Sequence, residues 1–575
     1  MKRDIGQLAE REFDLLIIGG GIYGVMAAWD AAERGLSVAV IDKGDFAGAT
    51  SSNSLKIVHG GLRYIQHADI KRMRESIRER RMMMKLAPHL VHPLAFVIPT
   101  YGHFIKGPEA MFIALKINDL VSFDRNSLPD PQKHLPAGKI ISKQECLQMI
   151  PGVDAENLTG GAIWYDAQLY NSERFIFSVL RSATDAGAVA VNYAEAVALL
   201  TQDKRVTGVR IHDRLSGNTF TVRSKIILNT TGPWLNRALR TLLPNLNHPP
   251  IALAKMMNLV TTQLFDAYSV GFYSKYEYKD KDAVISKGSR LYFVTPWRGL
   301  SMVGTAQTAY EGDPEDFTIT RDDIQQFMNE INEAYPPANL GFDTVLYYYS
   351  GLLPIEPNYS DPRNVTLLKH YRLIDHQKEH GIQGLLSVMS VKYTTARDVT
   401  EKALNLAVQK LGQPERRTTL PERHIHGGDI PFFNDFLKAV QHERPLGLSE
   451  SVLNHLAYNY GTAYREILAV AEQNPRLVKP LTGHPTILRA EVVYGIREEM
   501  AQHLDDIVFR RTELGPEGHP SDETLEDVAQ LAAQELGWNP DQTAREIEAV
   551  KAIYEPVTGE KPQNQPQKTV LEGGN

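Results

Sequence analysis

The sequence predicts an α/β architecture: a parallel-sheet domain, interrupted by antiparallel β-rich insertions and followed by a helical C-terminal region. Three observations predict it. A strand–turn–helix–strand unit opens the chain, reading FDLLIIGGGIYGVMAAWDAAERGLSVAVID over residues 13–42. Short alternating segments follow from about residue 189 to 355. From about 428 to 553 the apolar residues recur at helical spacing.

The opening unit carries most of the information. An apolar run, Phe13 to Ile18, leads into Gly19, Gly21 and Gly24 with G-x-G-x-x-G spacing. Gly19 permits the tight turn, Gly21 lets backbone approach a pyrophosphate, and Gly24 lets the helix pack close to the strand. The helix N-terminus offers free N–H groups and a positive dipole end. A second apolar run, Leu36 to Ile41, ends in Asp42, which can accept from both ribose hydroxyls and would repel a 2′-phosphate. The unit therefore reads as dinucleotide-binding.

With 575 residues, 43% of them hydrophobic, the chain can bury more than one core. A net charge of −7 argues against a general nucleic-acid binder. The single cysteine, Cys146, forms no internal disulfide and no metal cluster, so no metal is expected and a reducing compartment is. The N-terminal MKRDIGQLAEREF has no apolar core of a signal peptide, and no stretch approaches the ~18 apolar residues of a membrane span. The expected location is cytoplasmic, with attachment to the inner membrane face left open.

Ser172 to Gly187 reads as a helix, and the segments around 189–200, 206–212 and 220–222 as antiparallel strands. Lys225 to Leu228 is a further short strand leading into Asn229-Thr230-Thr231-Gly232-Pro233-Trp234. Strands are expected near 258–263, 290–295, 301–305, 343–350 and 384–388, and a helix over 394–411. The C-terminal helices include 449–460, 486–499 and 524–536. These readings give a discontinuous nucleotide domain (1–75, 155–245 and 360–415) and a substrate or cap domain (76–154 and 246–359). A helical domain over 416–555 and a disordered Pro/Gln/Gly-rich tail over 556–575 complete the division.

Together these strings resemble the FAD-dependent glycerol-3-phosphate dehydrogenase family, within the D-amino-acid-oxidase-like flavoproteins. The most specific stretch is GDFAGATSSNSLKIVHGGLRYIQ, from Gly44, with RESIRERRMMMKLAPHLVHPLAFVIP after it. Supporting strings are Phe293-Val294-Thr295-Pro296-Trp297, Gly304-Thr305, Tyr349-Ser350-Gly351, Lys392-x-Thr394-Thr395 and Asp506-x-x-x-Arg510-Arg511-Thr512. The resemblance implies a Rossmann-type FAD-binding domain, hydride transfer from a secondary alcohol to the flavin, and electrons passed to a quinone or oxygen. Within it, Thr50, Ser51 and Ser52 read as pyrophosphate-binding hydroxyls, and Gly60-Gly61 as backbone beside the isoalloxazine. Thr231 and Gly232 read as further cofactor contacts. Thr394 and Thr395 read as N-cap residues that aim a helix dipole at the flavin.

His59 reads as a flavin or substrate contact or else a satisfied core histidine, Arg63 as a substrate anchor or a structural ion pair, and Tyr64 as a pocket wall or core. Lys392, with its pKa lowered by burial and cationic neighbours, reads as the catalytic base or an anion binder. Arg397 is read as a packing or ion-pair residue.

The chain departs from the family around the substrate. Leu353 stands where the family carries a phosphate-clamping arginine, Asn258 where it has a histidine, Gln307 where it has aspartate, and Ser390-Val391 where it has Gly-Gly. Arg298 is the expected replacement cation. The departures admit glycerol 3-phosphate or another polyol, sugar or hydroxy acid. Two rivals remain: amine oxidation, and a catalytically silent flavin-bound protein that binds a partner. The basic, Met-studded segment Lys71 to Lys85 is read as a solvated helix or a membrane-surface helix, helped by Met111 to Lys116. A homodimer is a further expected partner state.

Overall fold

In the computed structural model the described residues are 1–104, 107–244, 251–277, 289–357, 359, 361–414 and 416–560. The chain opens with β1 (Glu12–Ile18), α1 (Ile22–Glu33) and β2 (Val38–Ile41), which pair in parallel with Leu15 opposite Val38. β1 is nearly buried throughout, and β2 completely so, which explains runs of Leu, Ile and Val without alternation.

These strands sit in a sheet ordered Arg372–Asp375, Leu385–Met389, Thr219–Asn229, β1, β2, Val189–Val191. Its core is continuous with α1, the helix Ser172–Asp185 and the helix Ala396–Leu411. Two sequence expectations change here. The segment 189–200 splits: Val189–Val191 is a parallel strand beside β2, and only Ala194–Gln202 joins the antiparallel hairpin with Arg205–Asp213. Conversely, Phe220–Val222 and Lys225–Leu228 are one strand, Thr219–Asn229. Its first half pairs antiparallel with Arg205–Asp213 and its second half parallel with β1 and Leu385–Met389.

The second sheet is ordered Val345–Pro354, Leu253–Thr262, Leu300–Tyr310, Ser289–Trp297, Tyr268–Glu277, Val91–Tyr101, Leu158–Leu169, Ile57–Val58. Leu158–Leu169 therefore belongs to the cap sheet, so the second nucleotide-domain piece starts nearer Ser172 than residue 155. The helix α2 (Ile70–Leu86) runs through the expected 75/76 boundary without a break.

α2 also corrects the membrane-surface reading of residues 71–85. Met73, Ile77, Met83 and Met84 are buried, and Glu79 takes a bidentate ion pair from Arg397 at 2.6 and 2.8 Å. Its basic face is tied down by Arg74 and Arg81 to Asp124 and by Arg78 to Asp398. Met73, Met83 and Met84 are core, which leaves Ile70 as the exposed large hydrophobic residue of α2. Instead, α3 (Pro108–Val121) exposes Phe112, Ile113 and Leu120, flanked by exposed Phe104 and Phe123.

The C-terminal helices form two further cores. The expected tail is corrected at its start: Glu555–Thr558 is helical, with Val557 buried. The rest of that expectation, from residue 561, lies outside the described residues. No helix among the described residues is long and apolar enough to cross a membrane.

Candidate active site

A cavity of about 1030 Å³ lies between the two sheets. At one end it is lined by the opening unit. Gly19 has a left-handed φ of 105°, and a Cβ there would press on the Thr230 carbonyl. A Cβ on Gly24 would overlap the Gly19 carbonyl oxygen, so the helix–strand approach demands glycine. Gly21 caps α1 in extended backbone, and the Ile22 N–H donates to Ser51 Oγ at 3.0 Å. Asp42 accepts from the backbone N–H of Gly20 (2.7 Å) and Gly44 (3.0 Å). Burial pushes its carboxyl up to about 6, against those two bonds.

Thr50, Ser51, Thr231 and Gly232 also line this cavity. Thr231 donates through N–H and Oγ1 to Asn229 Oδ1 at 3.1 and 2.7 Å, which fixes the turn. Ser52 and Gly60, also expected at the cofactor, point elsewhere. Ser52 is buried, donates to the Ala47 carbonyl, and shapes the loop from behind. Gly60 is likewise behind the wall: its N–H donates to Asp166 Oδ1 at 2.5 Å, and the Arg80 guanidinium fills the space of a Cβ. Gly61, with φ of 89°, does line the cavity.

Several residues of this end were missed. Lys43, Tyr193 and Trp234 line it, and the C-terminal domain contributes Asp505 and Arg510. Arg510 and Arg511 both grip Asp45, at 2.7 Å each, just beyond Asp42. The Asp506-x-x-x-Arg510-Arg511 string marked these residues, but nothing in its spacing pointed to the cofactor end.

The other end gathers His59, Arg63, Tyr64, Asn258, Leu353, Lys392 and Thr394 on the cavity wall. Lys392 Nζ lies 4.0 Å from the centre of the Tyr64 ring and donates to Ser76 Oγ at 3.2 Å. Burial, with the Arg72 guanidinium adding to it, pulls this ammonium down to about 7. A lowered pKa makes the neutral form of Lys392 accessible near neutral pH, and a neutral amine can accept a proton. The cationic neighbour is Arg72, which sequence reasoning did not single out.

His59 opens onto the cavity, and its pKa is lowered by burial and by Lys392, Arg63 and Arg80, against an opposing pull from Asp166. It is held neutral, able both to donate and to accept. Burial raises the Tyr64 hydroxyl, so it stays protonated. Asn258 is buried, with Oδ1 accepting from Thr305 Oγ1 at 2.8 Å. Gln307 also reaches the wall, its Nε2 donating to the Val365 carbonyl at 2.6 Å.

Arg298 is not a substrate cation. It is buried away from the cavity, paired with Glu513 at 2.5 Å and Glu517 at 2.7 Å and set over Tyr170 and Trp297. A left-handed turn (φ 55°) after Trp297 swings it toward the C-terminal domain, which the neighbouring aromatic string could not reveal. Thr395 is the N-cap of helix α4 (Ala396–Leu411) but makes no side-chain cap bond. Thr394 alone of the pair faces the cavity. Tyr23, unnoticed within the glycine motif, ties this helix start to α1 by donating to the Lys392 carbonyl at 2.5 Å.

The residues present fit FAD. The cavity has the size of a large ligand, its glycines leave backbone open to a pyrophosphate, and Asp42 stands where a ribose is read. Trp234 Nε1, on the same wall, is buried with no hydrogen-bond partner among the described residues and offers a donor to a ligand.

Residues 14–381 match the FAD dependent oxidoreductase family, and residues 421–543 match the C-terminal domain of alpha-glycerophosphate oxidase. A glycerol-3-phosphate dehydrogenase of Synechocystis sp. is 30% identical over 559 residues, covering 95% of this chain and 97% of that protein. The chain belongs to the FAD-dependent glycerol-3-phosphate dehydrogenase family. The mitochondrial glycerol-3-phosphate dehydrogenase of Bos taurus is another relative, 30% identical over 94% of this chain and 73% of that protein. The fold matches that of the glycerol-3-phosphate dehydrogenase from Bacillus halodurans complexed with FAD, with a TM-score of 0.74 over 98% of each chain and 24% identity. FAD is the cofactor of this family and of this chain, and its chemistry is oxidoreduction.

Proposed function

We propose that the protein oxidises the secondary hydroxyl of glycerol 3-phosphate. The observation that carries this reading is Lys392, held near a pKa of about 7 on the wall of the cavity that fits the cofactor. Family membership narrows the substrate. FAD, when bound, supplies the hydride acceptor. The neutral amine of Lys392 takes the hydroxyl proton as the C–H bond breaks. His59, kept neutral, hydrogen-bonds the reacting oxygen. Arg63, exposed to the cavity, holds the phosphate. Leu353 supplies no charge, so the phosphate is held from the Arg63 side of the cavity.

The electron acceptor we infer is a quinone reached from a membrane surface. The supporting feature is α3. Its outer face exposes Phe112, Ile113 and Leu120, and its inner residues Ala110, Met111 and Ala114 line the same cavity beside Phe96, Trp164 and Phe293. An interfacial helix of this kind binds by its apolar area. The purified protein is expected to sediment with anionic liposomes, and Phe112→Ser with Ile113→Ser to release it.

The substrate reading is tested anaerobically with FAD-loaded protein. Glycerol 3-phosphate should bleach the flavin band near ~450 nm rapidly. No bleaching, with dithionite still reducing the flavin, would refute the substrate. Bleaching by an amine instead would favour the rival oxidase chemistry.

A further inference from the structure

The cavity wall carries a cation that neither the family strings nor the reading above employs. Arg72 lies in the first turn of α2, where its own N–H donates to the capping Asp69 Oδ1 at 3.0 Å. A positive side chain in a helix's first turn opposes the helix dipole, so this location is unfavourable for α2 itself. The guanidinium does not recover that cost through an acid: it makes no hydrogen bond or ion pair among the described residues. Its carbon instead lies over the Tyr64 ring, 4.4 Å from the centroid, the same ring that carries the Lys392 ammonium at 4.0 Å. Arg72 lines the cavity together with Arg63 and Lys392, and Leu353 lines it too.

Two cations share one aromatic ring, and a third stands one residue before it. Arg72 depresses the Lys392 ammonium, against an opposing pull from Glu75 and Asp69. Such a group is relieved by an anion, and a guanidinium binds a phosphate through two parallel N–H···O bonds. We propose that Arg72 is a substrate-binding residue that, with Arg63, forms the phosphate pocket and supplies the cation that Leu353 lacks. This rests on the reading of a phosphorylated substrate, and it places the phosphate on the α2 side of the cavity rather than at strand Val345–Pro354.

The test uses the holoenzyme with Arg72→Ala and Arg72→Lys, each checked first for normal FAD content. Inorganic phosphate is titrated into oxidised protein and followed by the flavin spectrum. KM and kcat are then measured with glycerol 3-phosphate and with glycerol. Arg72→Ala should weaken phosphate binding and raise KM for glycerol 3-phosphate about 10- to 100-fold, the range for one charge-assisted contact. Its KM for glycerol should be unchanged, and its kcat, read well above the Lys392 pKa of about 7 where the amine is neutral with or without Arg72, should stay within a few-fold. Arg72→Lys, retaining the charge, should recover most of the loss. Unchanged phosphate binding and KM in Arg72→Ala, or an equal loss with glycerol, would overturn the assignment. If glycerol 3-phosphate fails to bleach the wild-type flavin while phosphate binding still depends on Arg72, the anion site stands and the substrate falls.

Discussion

The two ends of the cavity are built in opposite ways. The cofactor end is mostly local: β1, α1 and β2 fall within residues 12–41, and Gly19, Gly24 and Asp42 are placed by backbone geometry that any such unit repeats. The substrate end is assembled from Gly61 to Ser76, Asn258, Leu353 and Lys392, brought together across two sheets. A local site is robust to changes elsewhere and readable from spacing. An assembled site can exchange residues between its segments, so Leu353 and Arg72 can trade a charge while the surrounding fold persists.

The sharpest break of the cofactor end is Gly24→Val. Its Cβ would overlap a backbone oxygen that has no rotamer with which to move away. We expect destabilisation beyond about 4 kcal/mol and recovery of little FAD-loaded protein, read from the flavin-to-protein absorbance ratio. Wild-type flavin content would contradict the close approach.

At the other end, Lys392→Met should cut the rate of flavin reduction about 10²- to 10⁴-fold, the usual range for a general base. The pH profile gives the sign. Because the folded pKa is about 7 and the active form is neutral, reduction should accelerate as pH rises through about 7 and then level. The variant should lose that inflection. A wild-type rate flat between pH 6 and 8 would exclude Lys392 as the base.

How much of this was legible follows the same division. G-x-G-x-x-G spacing names residues whose job is set by φ and by contact with their immediate neighbours, so Gly19, Gly21 and Gly24 could be read directly. Side-chain direction in a loop is set by distant packing, so a string could name Ser52 and Gly60 without showing that both turn away. Arg298 was misplaced for that reason, drawn off by Glu513 and Glu517 from more than two hundred residues away in sequence. Arg72 was invisible because a basic helix offers no way to tell the cation that faces a cavity from Lys71 beside it. The methionines of α2 suggested a membrane face because an apolar stripe looks the same whether lipid or α4 covers it.

The cofactor end has one non-local part, the grip of Arg510 and Arg511 on Asp45. Burial alone would raise this carboxyl, but Arg511 and Arg510 outweigh it and hold it at about 2. Asp45→Asn leaves Arg511, fully buried, with the more distant Glu499 carboxylate at 3.8 Å to balance it, and should cost about 3 kcal/mol in urea unfolding. The native pair has a depressed folded pKa. Its contribution is therefore complete above the ordinary value of 3.8 and fades as pH falls from about 4 toward 2. An Asp45→Asn protein as stable as wild type at pH 7 would show that the C-terminal domain does not brace the cofactor loop.

The smallest effect is also the most direct probe of exchange between segments. Leu353 is half-buried on the cavity wall, so Leu353→Arg adds a guanidinium with room to reach inward. In the wild-type background Arg63 and Arg72 already serve the phosphate, and a third guanidinium adds repulsion along with attraction. KM for glycerol 3-phosphate should fall by no more than about 3-fold, well under the factor for one new charge-assisted bond. In the Arg72→Ala background the same change should lower KM about 10-fold, because there it restores a missing partner. This non-additivity is the signature of two residues serving one ligand group. Equal effects in the two backgrounds would mean that residues 72 and 353 act on separate parts of the substrate.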